Sequence, residues 1–142
     1  MSDTDTADDL DTFDDEQVRV LSADNRDEVL APQAKLFKFP QDEGRPVEGF
    51  MVRHASFGRI TRYQRASTGG SQKQQLQALC DLIADSVVGV DGQPVWDASQ
   101  VQAISQARTD RFMVIQNAVA THNGLKPDTE QVQDMVDAAA KN

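Results

Sequence analysis

Val87-Val88-Gly89-Val90-Asp91-Gly92-Gln93-Pro94-Val95-Trp96-Asp97 opens the stretch that decides the fold, which runs on through two helical segments to Asn123-Gly124-Leu125. Asp91-Gly92 is a tight-turn dipeptide, because glycine accepts the positive φ that such turns need. Pro94 lacks a backbone donor, so no helix runs through it. Asp97 offers a carboxylate to the orphan N–H groups of a helix start, and Gln100 stands three residues on, an imperfect capping box. The spacing predicts a short helix from Ala98 to about Ser105, then a longer one from near Gln106. In the second, Phe112, Ile115 and Val119 recur at helical spacing, with Met113 and Val114 widening the stripe. Gly124 stands where a helix C′ glycine belongs, and Pro127 stops any continuation. The expectation is a turn with a buried Trp96 ring at a helix junction, followed by a helical hairpin.

Upstream, Gln72 to about Val88 reads as one helix. Leu76, Leu79, Cys80, Ile83 and Val87 form a wide apolar stripe, and a run of glutamines forms the wet side. Gly69-Gly70 marks a connector from Ser67 to Ser71. Before it, Ser56 is positioned to cap a helix from Phe57 to Ala66. Arg59, Arg62 and Arg65 fall on one side of that helix, either as a solvated face or as a docking strip for acidic groups, the chain's own tail included. Lys35–Phe39 and Gly49–His54 read as two strands joined by a loop, hence an antiparallel hairpin. A lone hairpin is marginal, so it must pack on the helices or pair with another chain. Ser22 is positioned to cap a short helix over Ala23–Leu30, ended by Pro32. A terminal helix, Glu130–Ala140, carries Val132, Met135, Val136 and Ala139 on one face. The fold class is therefore α+β, mostly α: a small antiparallel β-hairpin followed by four or five short packed helices.

Charge is distributed unevenly. Residues 1–28 hold eleven acidic side chains against Arg19 and Arg26, a balance of −9 that equals the formal charge of the whole chain. Residues 29–142 are neutral in sum. Met1–Gln17 has only Leu10 and Phe13 as large apolar groups and is expected to be a disordered acidic tail ahead of a single α-rich domain over 18–142. Such a tail solubilises, or docks on a basic partner through Leu10 and Phe13. No basic patch marks a phosphate-backbone footprint, so no nucleic-acid partner is expected. No apolar run approaches 18 residues, and no membrane partner is expected.

No catalytic constellation stands out. His54 and His122 are the only histidines, and neither has a carboxylate or cysteine at ligand spacing. The serines lack a nucleophile-elbow context, and no glycine-rich phosphate loop occurs. Asp81 and Asp85, at i and i+4, read as a polar helix face, and Cys80 as a small buried apolar residue. The expectation is a non-enzymatic protein without metal or cofactor.

The order of these segments carries a resemblance. A hydrophobic helix, Val90-Asp91-Gly92-x-Pro94-Val95-Trp96, then Asp97-Ala98-x-x-Val101-x-Ala103-Ile104, a long helix with Phe112, and His122-Asn123-Gly124-Leu125 together resemble the tail assembly chaperones of long-tailed bacteriophages. Members typically show Val-Asp-Glu-Asp-Gly-x-x-Leu-Phe, a short acid-capped helix, and a long helix ending Leu-Asn-Gly-Leu. Here Trp96 stands at the usual Phe. The match covers roughly Phe50 to Asn142, and its parts are specific only in their order. The long Asp-rich start and the arginine row depart from the pattern.

The resemblance implies a protein that binds the phage tape measure protein and helps tail tube protein polymerise around it; apart from the resemblance, self-association is a further expectation, since the hairpin must pack on the helices or pair with another chain. The resemblance also implies action in the host cytoplasm and absence from the mature virion. The alternative is a small structural virion protein, a tail or head–tail joining adaptor retained in the particle. Partner-binding candidates are Arg59, Arg62, Arg65, Trp96, Phe112, Ile115, Val119 and Leu125. Members are often made in two forms by ribosomal frameshifting. Ala140-Lys141-Asn142 can be encoded as GCA AAA AAC, which contains a slippery heptamer, so a longer form is an expectation that sequencing the gene tests.

Overall fold

The computed structural model describes residues 20, 22–24, 34–41 and 44–141. The acidic tail over 1–17, and most of the helix expected over Ala23–Leu30, lie outside the described residues. Backbone contacts divide the chain into Met1–Pro32 and Gln33–Asn142, and every element below belongs to the second unit. Its strands are β1 (Ala34–Lys38), β2 (Gly49–Arg53) and β3 (Val87–Val88). Its helices are α1 (Phe57–Gly69), α2 (Gln72–Ser86), α3 (Ala98–Ala107), α4 (Thr109–His122) and α5 (Thr129–Ala140). This is the mostly helical α+β architecture expected, with the hairpin enlarged to a three-stranded antiparallel sheet of order β1-β2-β3.

The hairpin pairs Lys35 with Val52 and Phe37 with Phe50, and Phe39 N–H continues the ladder to the Glu48 carbonyl at 2.9 Å. Alternation sends Phe37, Phe39, Phe50 and Val52 to one face. There Phe50 stacks on Phe37 (6.0 Å between centroids) and meets Phe39 at 4.9 Å. Gly49 is needed where the strands approach, since a Cβ there would lie 2.7 Å from the Phe37 carbonyl oxygen. Helix α4 packs on β2 beside this aromatic face. Near its start the Arg111 guanidinium lies 4.4 Å from the Phe39 ring centre, and at its end His122 meets the edge of Phe37.

The helix expected to reach Val88 stops at Ser86, and Val87–Val88 become β3 instead. Val87 fits the helical stripe numerically, but a short β-branched run is ambiguous between helix and strand. The competitor that wins is cross-strand pairing: Val88 lies opposite Met51, Val87 opposite Val52, and both valines are buried. The Asp91-Gly92 turn then folds back. Gly89 N–H donates to the Gln93 carbonyl, and Val95 N–H to the Val87 carbonyl.

Helix α2 is the centre of the core, burying Leu76, Ala78, Leu79, Cys80, Leu82, Ile83 and Ser86. Ser71 and Gln74 start it with a reciprocal capping box. Asp97 and Gln100 do the same for α3, so the box called imperfect by its residue types closes fully. Helix α4 ends in a Schellman motif: Gly124 takes φ +73°, its N–H reaches the Thr121 carbonyl, and Leu125 N–H reaches the Ala120 carbonyl. Trp96 packs against the core but stays half-buried. Phe112, Ile115 and Val119 are 0%, 2% and 0% exposed. Three of the eight partner-binding candidates are thus closed into the core, because the stripe of α4 packs inward with α2, α5 and β2. Burying such side chains stabilises by roughly 1.5–3 kcal/mol each.

Candidate interaction surface

Helix α1 buries none of its thirteen residues. Its start is nonetheless fixed by two groups from distant parts of the chain. Ser56 N–H donates to Asp85 Oδ2 at 2.9 Å, and Ala55 N–H donates to Asn123 Oδ1 at 2.7 Å. Asp85 also takes Arg53: Nε reaches its carbonyl at 2.9 Å, and Nη2 lies 3.5 Å from Oδ1. Asn123 is held in turn by its own Nδ2–H on the Val119 carbonyl. Along its length α1 is held to α2 by Asp81, whose carboxylate lies 2.7 Å from Arg62 and 3.8 Å from Arg59. Ile60 and Tyr63 complete the attachment with partial burial against the core.

The remaining five candidates stay at the surface, in three different places. Arg59 and Trp96 share an open groove of about 550 Å³, with Asp85 and Asp97 on its walls. Arg62 and Arg65 line a second groove of about 510 Å³ between α1 and α2. Leu125 lines a third, of about 670 Å³, opposite Tyr63 and Thr68. Residues of α1 contribute to all three, and Phe57 at its start is 83% exposed. The arginine row is therefore neither a purely solvated face nor an unoccupied strip, since two of its members already meet an acid of the same chain.

Two acids of α2 hold this region in place. Asp81 and Asp85 are more than the polar helix face their spacing suggests, because each carboxylate receives a group from outside α2. The signal was complementary spacing: arginines one turn apart on one helix and aspartates one turn apart on the next. Nothing local foretold the pairing of the two histidines, which stack with ring centroids 4.4 Å apart. The Cys80 thiol is fully buried, and burial pushes its pKa up to about 12, so the thiolate is not formed near neutral pH. Among the described residues no three His, Cys, Asp or Glu side chains gather as a metal site. What this geometry can do is contact another macromolecule along a helix with exposed aromatic, cationic and amide groups. No protein-family model, no curated protein and no solved structure matches the chain.

Proposed function

We propose that this chain is a tail assembly chaperone of a long-tailed bacteriophage, which binds the tape measure protein in the host cytoplasm and is released as tail tube protein polymerises. The order of motifs from Val90 to Leu125 supports the reading, and the observation that carries it is α1, a thirteen-residue helix with no buried residue. A helix that adds little to the core and lines three open grooves offers an amphipathic partner helix several places to lie. The exposed Phe57 supplies an aromatic anchor, the kind of residue that dominates binding energy at interfaces. The chemistry required is binding alone.

The test is co-expression with the tape measure protein encoded by the same phage. The chaperone reading expects the tape measure protein to become soluble and to co-purify, and expects Phe57→Ala together with Arg65→Glu to abolish that effect while the chain stays folded. Mass spectrometry of purified particles distinguishes the second reading: stoichiometric presence of the chain in virions identifies a retained adaptor and overturns the chaperone assignment.

A further inference from the structure

We propose that β1 is a self-association edge, through which two copies of this chain pair antiparallel about Leu36. The sheet has two edges, and they differ. The β3 edge is covered by its own turn, where Pro94 bridges Val88 and Val95 N–H donates to the Val87 carbonyl. Among the described residues nothing pairs with the outer edge of β1.

The register of the hairpin says which backbone groups face outward. Phe39 N–H bonds the Glu48 carbonyl, so Phe39, Phe37 and Lys35 form the hydrogen-bonded pairs with β2. Ala34, Leu36 and Lys38 alternate with them and turn their N–H and C=O groups away from β2. An antiparallel partner with Leu36 on the two-fold axis sets Leu36 opposite Leu36, and Ala34 opposite Lys38 in both directions. Every outward donor then meets an outward acceptor.

Side chains agree with this register. Lysines on an edge strand ordinarily repel a second strand. About Leu36, however, Lys35 falls opposite Phe37 and Lys38 opposite Ala34, so no lysine faces another. Lys35 already lies over Phe37 within one chain, with Nζ 5.3 Å from the ring centre, and the pairing repeats that contact between chains. Shifting the axis to Lys35 sets like charges face to face. Shifting it to Phe37 brings Pro40, which has no N–H, opposite Ala34. On the open face Leu36, 58% exposed, meets its copy beside Met51. On the other face a groove of about 440 Å³, lined by Phe37, Met113, Val114 and Ala118 with the polar Lys38, Asn117 and Thr121, opens beside the strand where the second copy's Lys35 falls opposite Phe37.

Sedimentation velocity of the full chain from about 1 μM to about 1 mM, the range of weak interfaces, tests this. A concentration-dependent dimer is expected. Leu36→Lys, which sets two lysines across the axis at an exposed position, should weaken it at least about tenfold with the thermal melt of the monomer unchanged. Ala34→Glu, opposite Lys38, should tighten it about two- to fivefold, and Ala34→Lys should weaken it similarly. A chain monomeric throughout the range overturns the proposal, as does a dimer indifferent to Leu36→Lys. A response to Ala34 substitutions of the opposite sign overturns the register and the proposal with it.

Discussion

Helices α1 and α2 are neighbours in sequence and in space, and both start at a serine whose hydroxyl accepts a backbone N–H three residues on. Their energetics are opposite. Seven residues of α2 are buried and none of α1 is. Good local signals start both, but only α2 has an unbroken apolar stripe to put into the core. α1 offers Ile60 and Tyr63, then relies on the Asp81 and Asp85 carboxylates of its neighbour. Exposed ion pairs are weak, and Arg59 and Arg62 are 46% and 55% exposed. The comparison teaches that capping positions a helix, whereas buried area makes it indispensable.

The largest expected effect tests the core side of that contrast. Phe112→Ala and Ile115→Ala, in the stripe that packs with α2, should destabilise by about 2–5 kcal/mol in urea titration. Wild-type stability with lost partner binding would show that the stripe is reachable from outside. Next, Asp85→Ala leaves the Ser56 N–H and Arg53 without their carboxylate and should cost about 1–3 kcal/mol. Hydrogen exchange should quicken in α1 before α2. Uniform quickening in both helices would mean that they open as one unit.

A third change sharpens the comparison from inside the core. Gln116 is 1% exposed and among the described residues its Nε2 has no hydrogen-bond partner. Gln116→Met keeps the length of the side chain and removes the orphan donor, so a gain of about 1 kcal/mol is expected in thermal unfolding. By contrast Phe57→Ala, at the exposed start of α1, should change stability by less than about 0.5 kcal/mol. A larger loss would place Phe57 in the fold and remove it from the interaction surface.

The smallest effect is a pH dependence. Arg108 donates from Nε and Nη2 to the Asp110 carboxylate, which holds that pKa down to about 2 from 3.8. A depressed carboxylate pKa stabilises the fold above the unfolded value, and the contribution is lost as pH falls through the folded value. The stability difference between wild type and Arg108→Ala should therefore be largest above about pH 4 and shrink toward pH 2. A difference that grows on acidification would reverse the assignment.

Most of the fold was legible because its signals are local. Asp97 with Gln100 and Gly124 before Pro127 announced a start and a stop through bonds spanning only a few residues. The limit of α1 was misjudged because Gly69-Gly70 read as a connector from Ser67, whereas the helix continues to Gly69 and only Gly70 turns extended. The interaction surface was half legible. The arginine row was visible as a pattern, but its attachment to Asp81 was not. Phe112, Ile115 and Val119 fitted a core stripe and a partner groove equally well until packing chose the core.

What the sequence by itself determined is where α1, α2 and α3 start, which faces are apolar, and that the acidic excess belongs to residues 1–28, whereas the spacing puts the start of α4 near Gln106 and the helix begins at Thr109. Only the tertiary structure decided that Val87–Val88 leave the helix to complete a sheet, and that His54 stacks on His122 across 68 positions of chain. It also decided that Asp85 and Asn123 clasp the start of α1. The physical reason is one of range. A cap or a turn is closed by residues within one helical turn and is written in their identities. A third strand, a ring stack or a clasp exists only when distant segments have already been brought together by burial of the core.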